Sequence, residues 1–136
     1  MTEITVGAKV ENISVVTAFI DGELEKAGCS MKAQMQLDIA VDEIFANISH
    51  YAYSPGTGDA TIRFEMDEEN QMAVLRFEDS GVPFDPLKVE EPDVSLPAEQ
   101  RRIGGLGIFM VRKSMDSIEY EYANGRNILT IRKKIQ

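Results

Sequence analysis

Glu43 and Asn47 stand four residues apart in Val41-Asp42-Glu43-Ile44-Phe45-Ala46-Asn47, so on a helix their side chains stack one turn apart. A carboxylate at the border between core and solvent is partly desolvated, which suits a general base. A neutral amide oxygen beside it can take one Mg²⁺ position and leave the others to phosphates and water. The same spacing also fits a solvated Glu and Asn on a half-exposed helix. Asp79 closes an alternating strand, on the face of Leu75 and Phe77. A carboxylate pointing inward there needs a donor, because burying it without one costs several kcal/mol or shifts its pKa. The exocyclic amine of adenine is one such donor, with Gly81 letting a flat base approach the backbone; an Asp capping the turn at Ser80-Gly81 is the other reading. Gly104-Gly105-Leu106-Gly107 opens a helix, where exposed N–H groups and the helix dipole bind phosphate well. Arg101 and Arg102 add charge beside it, although a plain loop-to-helix junction has the same composition. In this order the three groups can build a Mg-nucleotide site. The glycine run is neither a P-loop nor a dinucleotide fingerprint.

The elements that must position these residues follow from periodicity. Thr2 to Ala8 alternates loosely and reads as a strand. A helix starting at Glu11 or Asn12 carries Ile13, Val16, Phe19, Ile20, Leu24 and Ala27 at spacings of three and four, and Gly28 stops it. Ser30 is placed to cap a second helix from Met31 to about Tyr51, with Leu37, Val41, Ile44, Ile48 and Tyr51 as its sheet-facing stripe. Gln36, Ala40, Glu43 and Asn47 form a row on its flank. Strands over Ala60–Met66 and Gln71–Asp79 are joined by the polar turn Asp67-Glu68-Glu69-Asn70. Helical spacing resumes over Gly104–Met115, and two last strands flank the tight turn Asn124-Gly125: one with Ile118, Tyr120 and Tyr122 on a face, then Ile128–Ile135. Hairpins and helices in separate blocks favour an α+β two-layer sandwich over a doubly wound sheet. The stretch 85–103 has no usable period and carries Pro86, Pro92 and Pro97; such loops are commonly active-site lids or partner-binding segments.

Composition narrows the function. The 136 residues read as one domain, 1–136, with 43% hydrophobic and 27% charged content. No apolar stretch approaches a membrane span, and the N-terminus does not read as a signal peptide. The single Cys29 excludes an internal disulfide and fits a reducing cytoplasm. A net charge of −9 argues against nucleic acid but not against ATP, whose phosphates are met locally. The only histidine, His50, has no second His or Cys for a zinc site.

Taken together, these residues resemble the ATPase superfamily of gyrase, the Hsp90 chaperones, histidine kinases and MutL, and most of all the short bacterial anti-sigma-factor serine/threonine kinases. The run from Glu43 through His50 to Tyr53 looks like that family's N-box, and Asp79-Ser80-Gly81-Val82-Pro83-Phe84-Asp85-Pro86 like its first glycine box. Gly104 to Val111 resembles the second glycine box, and Asn127-Ile128-Leu129-Thr130-Ile131 the closing strand. The resemblance implies a Bergerat-type ATP-binding fold with a mixed, mainly antiparallel sheet and 85–103 as the ATP lid. It implies Glu43 as general base, Asn47 as Mg²⁺ ligand, and Asp79 as adenine reader helped by Thr130. Gly105 and Gly107 would hold the phosphates, while His50, Gly81, Phe84, Arg102, Gly104, Leu106 and Ile108 would complete the ATP site. Two departures stand out: Pro83 replaces the second Gly of gyrase-like members, and Ile103 occupies a position often held by Arg, leaving Arg102 or Arg101 for the γ-phosphate. The implied activity is phosphorylation of a small STAS-type anti-sigma-factor antagonist by a cytoplasmic homodimer that also binds a sigma factor. Two rival readings are a nucleotide-gated partner switch with little or no phosphotransfer, and a detached catalytic domain acting on a separate His-containing protein.

Overall fold

The computed structural model describes residues 1–88 and 105–136. In chain order they form strand β1 (Thr2–Gly7), helices α1 (Ile13–Lys26) and α2 (Met31–Asn47), strands β2 (Asp59–Asp67) and β3 (Met72–Asp79), helix α3 (Gly105–Ser114), and strands β4 (Ser117–Ala123) and β5 (Arg126–Lys134). The strands make one five-stranded sheet in the order β1-β2-β3-β5-β4. The α+β architecture is as the sequence implies, with one correction: every pairing is antiparallel, so the sheet is not mixed. The hairpins β2–β3 and β4–β5 dictate two of the pairings, and the helical connections return the other strands in the same sense. Among the described residues no helix is long and apolar enough to cross a membrane.

Alternation decides which face of the sheet is covered. Leu75 pairs with Ile131, Phe77 with Leu129 and Asp79 with Asn127, so these side chains share the inner face. Against them pack Leu37, Val41, Ile44 and Phe45 of α2, Val16, Ile20 and Leu24 of α1, Val111 of α3 and Met115 just beyond its end. Each such large aliphatic or aromatic side chain contributes about 1.5–3 kcal/mol when fully buried. The outer face is polar and laced by ion pairs, Arg63 with Glu78 at 3.1 Å and Arg132 with Glu119 at 2.6 Å. Thr130 pairs with Arg76 and Glu119 and therefore belongs to this outer face.

Local chemistry sets the helix ends. Gly28 adopts φ 73°, Gly28 N–H donates to the Glu25 carbonyl and Cys29 N–H to the Leu24 carbonyl, a Schellman stop for α1 that glycine permits. Ser30 then caps α2, its hydroxyl accepting from Ala33 N–H at 3.2 Å. Asn124 and Gly125 both have positive φ, 55° and 76°, as a two-residue β-hairpin turn requires. The expected α2 stripe holds through Leu37, Val41 and Ile44 but not to its end. After Asn47 the helix widens into a π turn over Ile48–Ala52, and Tyr51 is 47% exposed instead of facing the sheet. A 100° step no longer applies once hydrogen bonds run i→i+5.

The α1–α2 seam contains an unusual polar pair. Asp21 Oδ1 and Asp38 Oδ1 are buried with no donor facing them, and Asp42, held by the Thr17 hydroxyl at 3.1 Å, lies one turn further along α2. Burial, then the Asp21 carboxyl as hydrogen-bond partner and as charge, then Asp42, push Asp38 up to about 7. A proton retained between the two carboxyls supplies the missing donor. A carboxyl raised in the folded state stabilises the fold below its unfolded pKa, and that stability is lost as pH rises through the folded value. Urea unfolding should therefore show stability falling between about pH 4 and pH 7, and Asp38→Asn should flatten that slope and be the more stable protein at pH 8. An unchanged slope in the variant would remove Asp38 as its source.

Candidate functional site

The inner face of β3 runs Ala73, Leu75, Phe77 and then Asp79, whose residue is only 4% exposed. The strand ends at Asp79, and the chain turns across the end of α2. Gly81 sits directly on the Ala52 backbone carbonyl, where a Cβ would overlap it, and Val82 N–H donates to that same carbonyl at 2.9 Å. Tyr53 pins the loop from the other side, donating its hydroxyl to the Asp59 carbonyl at 2.6 Å and accepting from Ser80 N–H at 2.8 Å. The widened turn at the end of α2 is thus the surface on which the Asp79–Val82 loop is built.

The carboxylate of Asp79 is met by the fold on one oxygen. Its Oδ1 accepts from Gly81 N–H at 2.9 Å and from the Asn127 amide at 2.9 Å. Among the described residues nothing donates to Oδ2. The turn-capping reading of Asp79 is met by Oδ1, and Oδ2 is the oxygen that no described residue engages.

Above Asp79 opens a cleft whose empty space, open solvent at its mouth included, is about 670 Å³. Ile44, Asn47 and Ile48 form one wall, Phe77 and Leu129 the floor, and Ile108 of α3 closes the far side. Val82, Pro83 and Phe84 rim the mouth, with Phe84 47% exposed. The polar side chains are few: Asn47, Tyr51, Asp79, Tyr120 and Asn127. A flat apolar slot ending in a half-satisfied carboxylate fits a heteroaromatic ring carrying an N–H donor.

Glu43 lies one turn before Asn47, half-buried and outside the cleft wall. Its carboxylate packs against Gly107 in the first turns of α3, where any Cβ would occupy the same space. Burial pushes the Glu43 carboxyl above the ordinary glutamate range, making it a stronger base. Among the described residues no group of three or more His, Cys, Asp or Glu could hold a metal ion alone. A Mg²⁺ at Asn47 would therefore depend on phosphate and water oxygens, as that ion prefers in nucleotide sites.

The structure brings together Asn47, Asp79, Phe84 and Ile108 around one cleft, with Gly81 in the adjoining loop and Glu43 and Gly107 in mutual contact beside it. Gly105 begins α3, and Leu106 follows it there. Arg102 and Gly104 lie outside the described residues, as does 89–103 of the expected lid; its start is a 3₁₀ turn at Pro86–Lys88. Two expectations do not hold. His50 is exposed and does not line the cleft, because the π turn rotates it outward. Thr130 lies on the outer sheet face, and Asn127, three residues earlier and of opposite parity, meets Asp79 instead. Counting back in twos from the inward residues Ile131 and Leu129 would have found it.

Comparison with known proteins agrees with this geometry. A family described as "Histidine kinase-like ATPase domain" matches residues 6–133. The serine-protein kinase RsbW of Listeria monocytogenes is 31% identical over 127 residues, covering 90% of this chain and 80% of that protein. RsbW of Bacillus thuringiensis is 28% identical over 131 residues, 93% of this chain and 81% of the relative. Among solved structures, the Acinetobacter baumannii histidine kinase AdeS superposes with a TM-score of 0.55 at 11% identity, covering 100% of this chain and 70% of that one. A histidine kinase domain from Erythrobacter litoralis gives 0.52 at 13% identity, over 76% of this chain and 45% of the other. At these identities the structural likeness speaks for the fold alone.

The two glycine environments make opposite forecasts for the same substitution. Gly81→Ala must displace the Ala52 backbone and should destabilise the protein by about 1–3 kcal/mol. Gly22→Ala, in α1 with nothing within 4 Å of a new Cβ, should stabilise it by about 0.5–1 kcal/mol. Thermal unfolding of the two variants beside the parent measures both signs.

Proposed function

The chain belongs to the histidine kinase-like ATPase family, and from that membership we propose that it is an ATP-dependent serine/threonine protein kinase. Its substrate is a small STAS-type anti-sigma-factor antagonist, in a cytoplasmic partner-switching pair that also involves a sigma factor and a homodimeric kinase. The observation that carries the nucleotide half is the Asp79 carboxylate in the cleft, with Oδ1 accepting two hydrogen bonds and Oδ2 none among the described residues. The protein half is supported by the serine-protein kinases that match over most of their length.

Mg-ATP, when bound, supplies the transferable phosphoryl group and a cation that offsets its charge. Asp79 reads the purine edge, and Ile44, Phe77 and Leu129 exclude water around the ring. Asn47 would be the side chain that holds the ion. Gly107 lets α3 approach closely with its N-terminal end, which favours phosphate. Glu43 takes the proton of the incoming serine or threonine hydroxyl. Such sites work mainly by positioning and charge compensation.

A second reading, a nucleotide-gated partner switch without phosphotransfer, draws on one feature: Glu43 packs on Gly107 and is not part of the cleft wall. Calorimetry and a transfer assay distinguish the outcomes. Mg-ATP should bind the parent, and Asp79→Ala should weaken binding by about tenfold or more. With a STAS-type antagonist present, phosphate should appear on its serine or threonine, and Glu43→Gln should lower that rate by about a hundredfold or more while nucleotide binding persists. Because the base form of Glu43 is required, the transfer rate should rise with pH through its elevated pKa and lose that inflection in Glu43→Gln. Binding without transfer would leave the switch; binding insensitive to Asp79→Ala would remove the nucleotide reading.

A further inference from the structure

Asn127 is 6% exposed, and all of its amide capacity toward the fold is used. Its Nδ2 donates to Asp79 Oδ1 at 2.9 Å and to the Val82 carbonyl at 2.9 Å. Its Oδ1 accepts from Phe84 N–H at 3.1 Å and from the Tyr120 hydroxyl. Reversing the amide would set NH₂ against two donors and the oxygen against a carboxylate and a carbonyl, so only one orientation is compatible with these neighbours. Burial pushes the Tyr120 hydroxyl above the ordinary phenol range, which keeps it a donor at neutral pH. Tyr120 and Phe84 N–H therefore fix the amide, and the amide fixes Asp79.

We propose that Asn127, oriented by Tyr120, is the positioning residue that makes the cleft selective for a 6-aminopurine over a 6-oxopurine nucleotide. This rests on the reading of the cleft as a nucleotide site. The argument is one of acceptor count. With Oδ1 already taking two donors, Oδ2 is the acceptor left for the ligand. A 6-amino group presents an N–H to it, whereas a 6-oxo group presents a lone pair and leaves both oxygens unsatisfied. Without the Asn127 amide, the carboxylate can rotate and exchange its oxygens, so neither is held as the acceptor for a 6-amino group and discrimination is lost. Tyr120 acts one step further out and should have the smaller effect.

The test is isothermal titration of the full chain with Mg-ATP and with Mg-ITP, which differ at the 6-position. The parent should prefer ATP by about tenfold or more. Asn127→Leu should erase most of that preference, chiefly by weakening ATP, and Tyr120→Phe should reduce it partially. Asn127→Asp, which sets a second carboxylate against Asp79 in place of the amide donor, should lower the ATP/ITP ratio as Asn127→Leu does. A merely structural role would weaken both nucleotides together and leave the ratio unmoved, and that result in folded variants overturns the inference. Should Asn127→Leu fail to fold, Tyr120→Phe, which keeps the ring, and Asn127→Asp, which keeps the size, decide the matter. A parent that binds ATP and ITP equally overturns the inference but leaves the nucleotide reading standing; a parent that binds neither overturns both.

Discussion

One buried hydrogen bond, from the Asn127 amide to the Asp79 carboxylate, is the constraint on which the cleft depends. A carboxylate at the end of an apolar strand face is tolerated only if the fold brings a donor to it. Here the donor comes from the neighbouring strand, so the β3–β5 register carries the chemistry. A slip of one residue would set Asp79 beside Ile128 and turn Asn127 to the outer face. The same register aligns Phe77 with Leu129 and Leu75 with Ile131, and burial of those pairs holds the polar pair in place. Packing energy thereby fixes the position of a group that packing alone would reject.

Close approach is the second requirement. The cleft is framed by α2, α3 and the loop after β3, and in two places the backbones come nearer than a Cβ allows. Gly81 rests on the Ala52 carbonyl, and Gly107 rests on the Glu43 carboxylate. The first contact seats the loop after β3 against the end of α2. The second partly removes Glu43 from water and raises its basicity, so a packing decision in α3 reaches the proton affinity of a residue on α2. Together the two contacts set how closely the elements around the cleft approach one another.

Much of this was legible in the residue pattern. Period-2 alternation placed β2 and β3, the Ser30 cap and Gly28 stop bounded the helices, and the Asn124-Gly125 turn needed only its dipeptide to be recognised. Glu43, Asn47 and Asp79 were reachable because helix and strand periods put them at borders. The misses have physical causes. Tyr51 was projected along an α-helical wheel past Asn47, where the hydrogen bonding changes to i→i+5, and His50 rested on the N-box resemblance that runs through the same turn. Thr130 came from the resemblance of the closing strand, whereas strand parity turns it to the outer face and sets Asn127 against Asp79. The all-antiparallel sheet could not be read at all, because the sense of β1 and of β3–β5 is set by helical connections with no local signature.

The π turn at the end of α2 also carries a lesson about chain length. A π turn holds more residues than an α turn over a similar rise, so Ile48–Ala52 behaves as a stored insertion. The core residues Leu37 to Phe45 lie upstream of it and would not register the loss of one amino acid there. Its loss would tighten the π turn to an α turn and alter the joint at which the Ala52 carbonyl accepts from Val82 N–H. Relatives differing by a single residue at this joint would keep the same hydrophobic interior while presenting a differently shaped entrance, which lets the mouth of the cleft vary without any change of fold.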